Sequence, residues 1–126
     1  PINKKVSVTN SINNLPSFIG FSNSVEDIAD GTQTALSVST ALTLLQTQGS
    51  NATTLADGTV VGQLKVIIND QDGGASVCTP ADPLGYADIN FVDDGDAVIC
   101  MWTGSSWAVI GQHDAGTDTG LIDIAN

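Results

Sequence analysis

Arginine is absent from this 126-residue chain, and lysine occurs only at positions 4, 5 and 65, against 14 acidic residues and a formal net charge of −11. Nucleic acid is therefore not an expected partner, because phosphate binding needs clustered cations that displace counterions. An anionic membrane surface is disfavoured for the same reason. Glutamate is nearly missing as well: Glu26 stands alone beside thirteen aspartates. Aspartate suits turns and caps, whereas glutamate suits helix interiors, so the composition speaks for loops between strands and few surface helices. No apolar run approaches the roughly 18 residues of a membrane span. None of signal-peptide length follows Pro1-Ile2-Asn3-Lys4-Lys5, and Pro1 is what remains when an initiator methionine is removed, so a soluble, cytoplasmically made protein is expected.

Residues with catalytic or ligating chemistry are equally scarce. The single histidine, His113, lies in a polar loop, and its neighbour Asp114 cannot complete a triad by adjacency in sequence. The two cysteines, Cys78 and Cys100, lack Cys-x-x-Cys spacing and fall in separate predicted strands. They read as buried free thiols in a reducing compartment, or as a disulfide if their strands adjoin. The acidic turns Asp70-Gln71-Asp72-Gly73 and Asp93-Asp94-Gly95-Asp96 invite a calcium reading. They lack the spacing and closing Glu of a helix–loop–helix site, and hairpin turn chemistry explains both, with a weak site between turns as the other reading. Carboxylate pairs for glycoside hydrolysis are not excluded by counting, but the accompanying Glu and Arg are missing from the β region. No enzyme, cofactor or metal is expected.

What is present is a β pattern. Between Asp57 and Gly111 short apolar runs are each closed by an Asp/Gly turn. Thr34–Gln46 reads as a half-buried strand with Leu36, Val38, Leu42 and Leu44 on one parity, with a short helix over Ala41–Leu45 as the alternative. Gln48–Asn51 reads as a loop. Thr59–Asn69 reads as a strand with Leu64, Val66 and Ile68 as its core face and Gln63, Lys65 and Ile67 opposite. Shorter strands follow over Ala75–Thr79 and Tyr86–Val92. Asp96–Trp102 is apolar on both faces and needs cover on both. One cover is the domain core; the other is a second sheet, an arm or a neighbouring subunit. The turn Thr103–Ser106 returns the chain through Trp107–Ile110 as a hairpin, and Leu121–Ile124 reads as a last strand. The two tryptophans read as packing residues, or as a platform for stacking on sugar.

The first 33 residues differ. Five asparagines, several serines and Pro16 are interspersed with Ile2, Val6, Val8, Ile12, Leu15, Phe18, Ile19 and Phe21. This is too polar for a core and too apolar for plain disorder, and it fits an extended arm ordered on another surface. Val6 and Val8 suit a short edge strand, and Ser24–Ala29 reads as a helical turn. Lys4 and Lys5 would draw the arm to an acidic surface that repels the body. The division is then an arm at 1–33 and a β domain at 34–126. The expected fold is all-β, a small antiparallel sandwich or barrel, jelly-roll-like, with an extended N-terminal arm.

Leu55–Lys65, Asp72-Gly73-Gly74, Thr79-Pro80, Ile89-Asn90-Phe91, Gly95-Asp96 and Trp102–Val109 carry a resemblance. Over roughly residues 34–111 the chain resembles small structural proteins of tailed bacteriophages, especially cyanophages, which occur as capsid decoration (cement) proteins or as fibre and spike segments. The resemblance implies a virion protein, commonly a homotrimer, on the capsid exterior and bound to the major capsid protein. The other reading is a fibre, spike or glycan-binding module. The capsid-contact residues expected are Ile2, Lys4, Lys5, Val6, Val8, Ile12, Phe18 and Phe21, and the expected subunit contacts are Ile99, Met101, Trp102 and Trp107.

Overall fold

A computed structural model describes residues 25–29, 35–46, 51–71, 73–116 and 122–123. The arm residues 1–24, including Ile2, Lys4, Lys5, Val6, Val8, Ile12, Phe18 and Phe21, lie outside the described residues, as does most of the stretch from 117 onward. The described residues are all-β, with no helix among them, and the strands form two five-stranded sheets.

In chain order the strands are β1 (Glu26–Ala29), β2 (Ala35–Leu36), β3 (Leu42–Gln46), β4 (Asn51–Leu55), β5 (Leu64–Asn69), β6 (Ser76–Pro80), β7 (Asp88–Phe91), β8 (Ala97–Trp102), β9 (Trp107–His113) and β10 (Ile122–Asp123). The front sheet has the order β1-β3-β5-β8-β9 and the back sheet β10-β7-β6-β4-β2. The first six strands thus alternate between sheets, and each of β1 to β4 pairs in parallel with the strand two places on. The chain winds as a coil of three turns, with Glu26 beside Thr43 and Leu42 beside Val66 in the front sheet. From β7 onward it reverses, and β7, β8, β9 and β10 pair antiparallel. The purely antiparallel arrangement expected from sequence gives way to two mixed sheets, and the described strands close no barrel. Parallel pairing arises because each crossover carries the chain to the opposite sheet before it returns.

Inward side chains of both sheets meet in one core: Ile28, Leu45, Ile67, Val98, Cys100, Trp102 and Trp107 from the front, with Leu36, Leu55, Cys78, Ile89 and Phe91 from the back. The arrangement is sandwich-like. Trp102 and Trp107 are register partners in the hairpin, with ring centroids 5.3 Å apart and a 57° tilt. The Trp107 indole N–H donates to the Ala56 carbonyl at 2.8 Å, so the buried ring leaves no orphan donor. A Cβ at Gly58 would collide with the Trp102 ring, which is why the turn before β5 carries glycine. Gly104, with φ of 104°, supplies the left-handed residue of the hairpin turn.

Several local readings change. Ser24–Ala29 contributes strand β1 where a helical turn was expected. Thr34–Gln46 is two strands in different sheets, β2 and β3, separated by the Ser37–Ala41 crossover. Asn51, read as part of a loop, opens β4, whose inward positions are Asn51, Thr53 and Leu55. Cys78 and Cys100 are buried free thiols, pushed up to about 11 and about 12 by burial.

Candidate assembly surface

Strand β5 places the candidate surface through an inversion. Its buried positions are Lys65, Ile67 and Asn69, while Leu64, Val66 and Ile68 point outward and are half-buried. The expected core face of this strand is therefore its outer face. Alternation correctly grouped the residues, but burial of a lysine depends on partners remote in sequence.

Those partners come from β1 and from the crossover between β2 and β3. The Lys65 ammonium donates to the Ser37 carbonyl at 2.7 Å, the Thr40 carbonyl at 3.0 Å and Thr40 Oγ1 at 3.2 Å. The Glu26 carboxylate lies 3.6 Å away. Glu26 in turn accepts from the Ser37 backbone N–H at 3.0 and 2.9 Å and from Thr43 Oγ1 at 2.6 Å. Burial lowers the Lys65 pKa, and the Glu26 charge acts against that shift. Glu26 on β1, Ser37 after β2, Thr43 on β3 and Lys65 on β5 are thereby tied into one clasp. A second polar anchor sits at the reversal: Asp96 accepts from the backbone N–H groups of Val92, Asp93 and Ala115 at 2.8, 2.9 and 2.8 Å. The acidic turn acts as backbone capping here, and among the described residues no group of three metal-ligating side chains forms.

With the clasp inside, the outer face of the front sheet is left to apolar side chains. One row across the strands is Leu42, Val66 and Ile99, ending at Gly111. The next runs Leu44, Ile68 and Ala97 between Asp27 and His113. Leu64, Met101 and Ala108 make a third. Ile99 is 40 % exposed. A β-bulge between Ile99 and Cys100 inserts Ile110 into β9, where it is 55 % exposed. Beside it a groove of about 300 Å³ is lined by Ala97, Val98, Ile99, Gly111, Gln112 and His113. Large contiguous apolar patches are a general feature of interaction sites, which makes this face the candidate.

The back sheet differs. Its outward positions are Ala52, Val77 and Asn90 in one row and Thr54 and Thr79 in the next. Thr79 Oγ1 donates to the Asp88 carboxylate. Near this sheet Asp57 is raised above the ordinary carboxylate range, first by its hydrogen bond with Asp82.

Of the four expected contact residues, Ile99 and Met101 stand on the outer face of β8, whereas Trp102 and Trp107 are 6 % and 0 % exposed inside the chain's own core. Leu64, Val66 and Ile68, read from sequence as the core face of their strand, are half-buried on the outer face, beside Leu42 and Leu44 of β3. A scan against protein-family models and a search of curated proteins find no match to the chain.

Proposed function

We propose that the protein is a structural component of a tailed-phage virion: a capsid decoration (cement) protein that binds the outer capsid surface and stabilises the head. In this reading it is a homotrimer, made in the host cytoplasm, with the arm at residues 1–33 lying on the major capsid protein. The observation that supports it is the contrast between an apolar outer face on the front sheet and a more polar one on the back sheet, in a chain of net charge −11. An apolar face suits assembly, and an acidic remainder suits a surface that stays soluble at high copy number. The buried polar groups Lys65, Glu26 and Asp96 hold the coil together, and the role is non-enzymatic.

A fibre or spike segment is the second reading, favoured by the parallel coil of β1–β6, since coils of this kind extend by adding turns. Glycan stacking on the paired tryptophans draws no support, because both rings are buried. The test is to add the full chain and a chain lacking residues 1–24 to decoration-free capsids. The full chain should bind and the truncated one should not, with its oligomer mass unchanged. Full occupancy by the truncated chain would remove the arm from the account.

A further inference from the structure

The middle outer row of the front sheet starts from a carboxylate and ends on an imidazole. Asp27 stands on β1 and His113 on β9, the two outermost strands of that sheet, and only Leu44, Ile68 and Ala97 lie between them. Both end residues are exposed. Among the described residues the other cation, Lys65, is buried, so His113 is the one surface side chain there able to carry positive charge.

We propose that copies of this chain pack their front sheets around one another in a closed head-to-tail ring. The β1 edge of each copy, with Asp27, meets the β9 edge of the next, with His113. Two considerations select a second copy as the occupant of the face. An apolar surface is best covered by one equally apolar, and this chain supplies one, whereas its back sheet mixes Ala52 and Val77 with threonine, asparagine and aspartate. At the row ends a heterologous contact also brings the Asp27 carboxylate to the His113 imidazole at each junction, with Asp114 as the neighbouring acid on the β9 side, and a ring leaves no junction unused. The groove beside the bulge, about 300 Å³ with His113 in its lining, provides room at that junction for a neighbour's side chains. The proposal deepens the assembly reading above and rests on it.

The test places cysteines at both edges, Asp27→Cys with His113→Cys, in the full chain. Within one chain these positions are separated by four strand spacings, about 19 Å, well beyond the roughly 7 Å Cα separation a disulfide tolerates. Any bridge must then join two chains, and the native thiols are buried. After oxidation with copper–phenanthroline, non-reducing gels should show most of the double variant as species of two or more chains ending at a discrete ring, and the single variants mainly as monomer. A double variant that runs like the single variants overturns the ring. As a second probe, His113→Asp alone should raise the dissociation constant of the oligomer several-fold, and adding Asp27→Lys should restore it; no recovery counts against the junction. Capsid binding separates the two claims. A double variant without cross-links that still decorates capsids overturns the ring and leaves decoration standing. A cross-linked ring whose wild-type counterpart ignores capsids supports the ring and overturns decoration.

Discussion

The two sheets share a plan, three parallel strands from successive turns of the coil followed by two antiparallel ones, yet their outer faces have opposite character. Along β5 the front sheet turns Leu64, Val66 and Ile68 outward and buries Lys65 and Asn69. Along β4 and β6 the back sheet turns out Ala52, Thr54, Val77 and Thr79, a more polar set, and buries Leu55 and Cys78. The inward residues decide how the chain winds, while the outward residues decide what the folded unit does next. A lysine inside and leucines outside reverse the usual division of a half-exposed sheet.

If that division is right, damage to the inside of the front sheet should appear as lost stability. Lys65→Ala strands the Ser37 and Thr40 carbonyls and removes the ammonium that lies 3.6 Å from the Glu26 carboxylate. Breaking a buried pair costs about 3 kcal/mol or more, and urea titration followed by tryptophan fluorescence should read that loss. A change below about 1 kcal/mol would mean that the clasp behaves like an ordinary surface pair.

A smaller effect sharpens the comparison from the core side. Cys78 and Cys100 face each other's sheets with Lys65 beside them, and burial raises both thiols from 9.0 to about 11 and about 12. The folded state therefore holds protons that the unfolded chain releases, so this contribution to stability is present below about pH 9 and is lost as pH rises towards 12. Lys65, whose pKa burial lowers, works in the opposite sense. Comparison with Cys100→Ala isolates the thiol: the variant's denaturation midpoint should fall less steeply between pH 8 and pH 10, by about 1 kcal/mol in stability. Parallel slopes would show that the thiol is not sealed.

Legibility in the sequence followed how local each cause was. The β8–β9 hairpin was readable because its turn, its paired tryptophans and its doubly apolar strand are contiguous. The outward placement of Ile99 and Met101 was readable because a strand apolar on both faces cannot turn both into one core. The face of β5 was not readable, since period two groups residues without saying which group is inside, and Lys65 is admitted by Glu26, Ser37 and Thr40 from other turns. Strand β4 was missed because Asn51 and Thr53 are inward positions that look like loop. The parallel coil was hidden for a related reason: alternation within a strand carries no record of which strand lies beside it.

The central claim, that the front sheet's outer face is an assembly surface, is tested most directly by light-scattering mass of the wild type and of Ile99→Asp. The account predicts a wild-type mass that is a multiple of 12.9 kDa and a variant of single-chain mass with unchanged tryptophan emission. A wild type that stays at 12.9 kDa at high concentration, or a variant that keeps the wild-type mass, would contradict it.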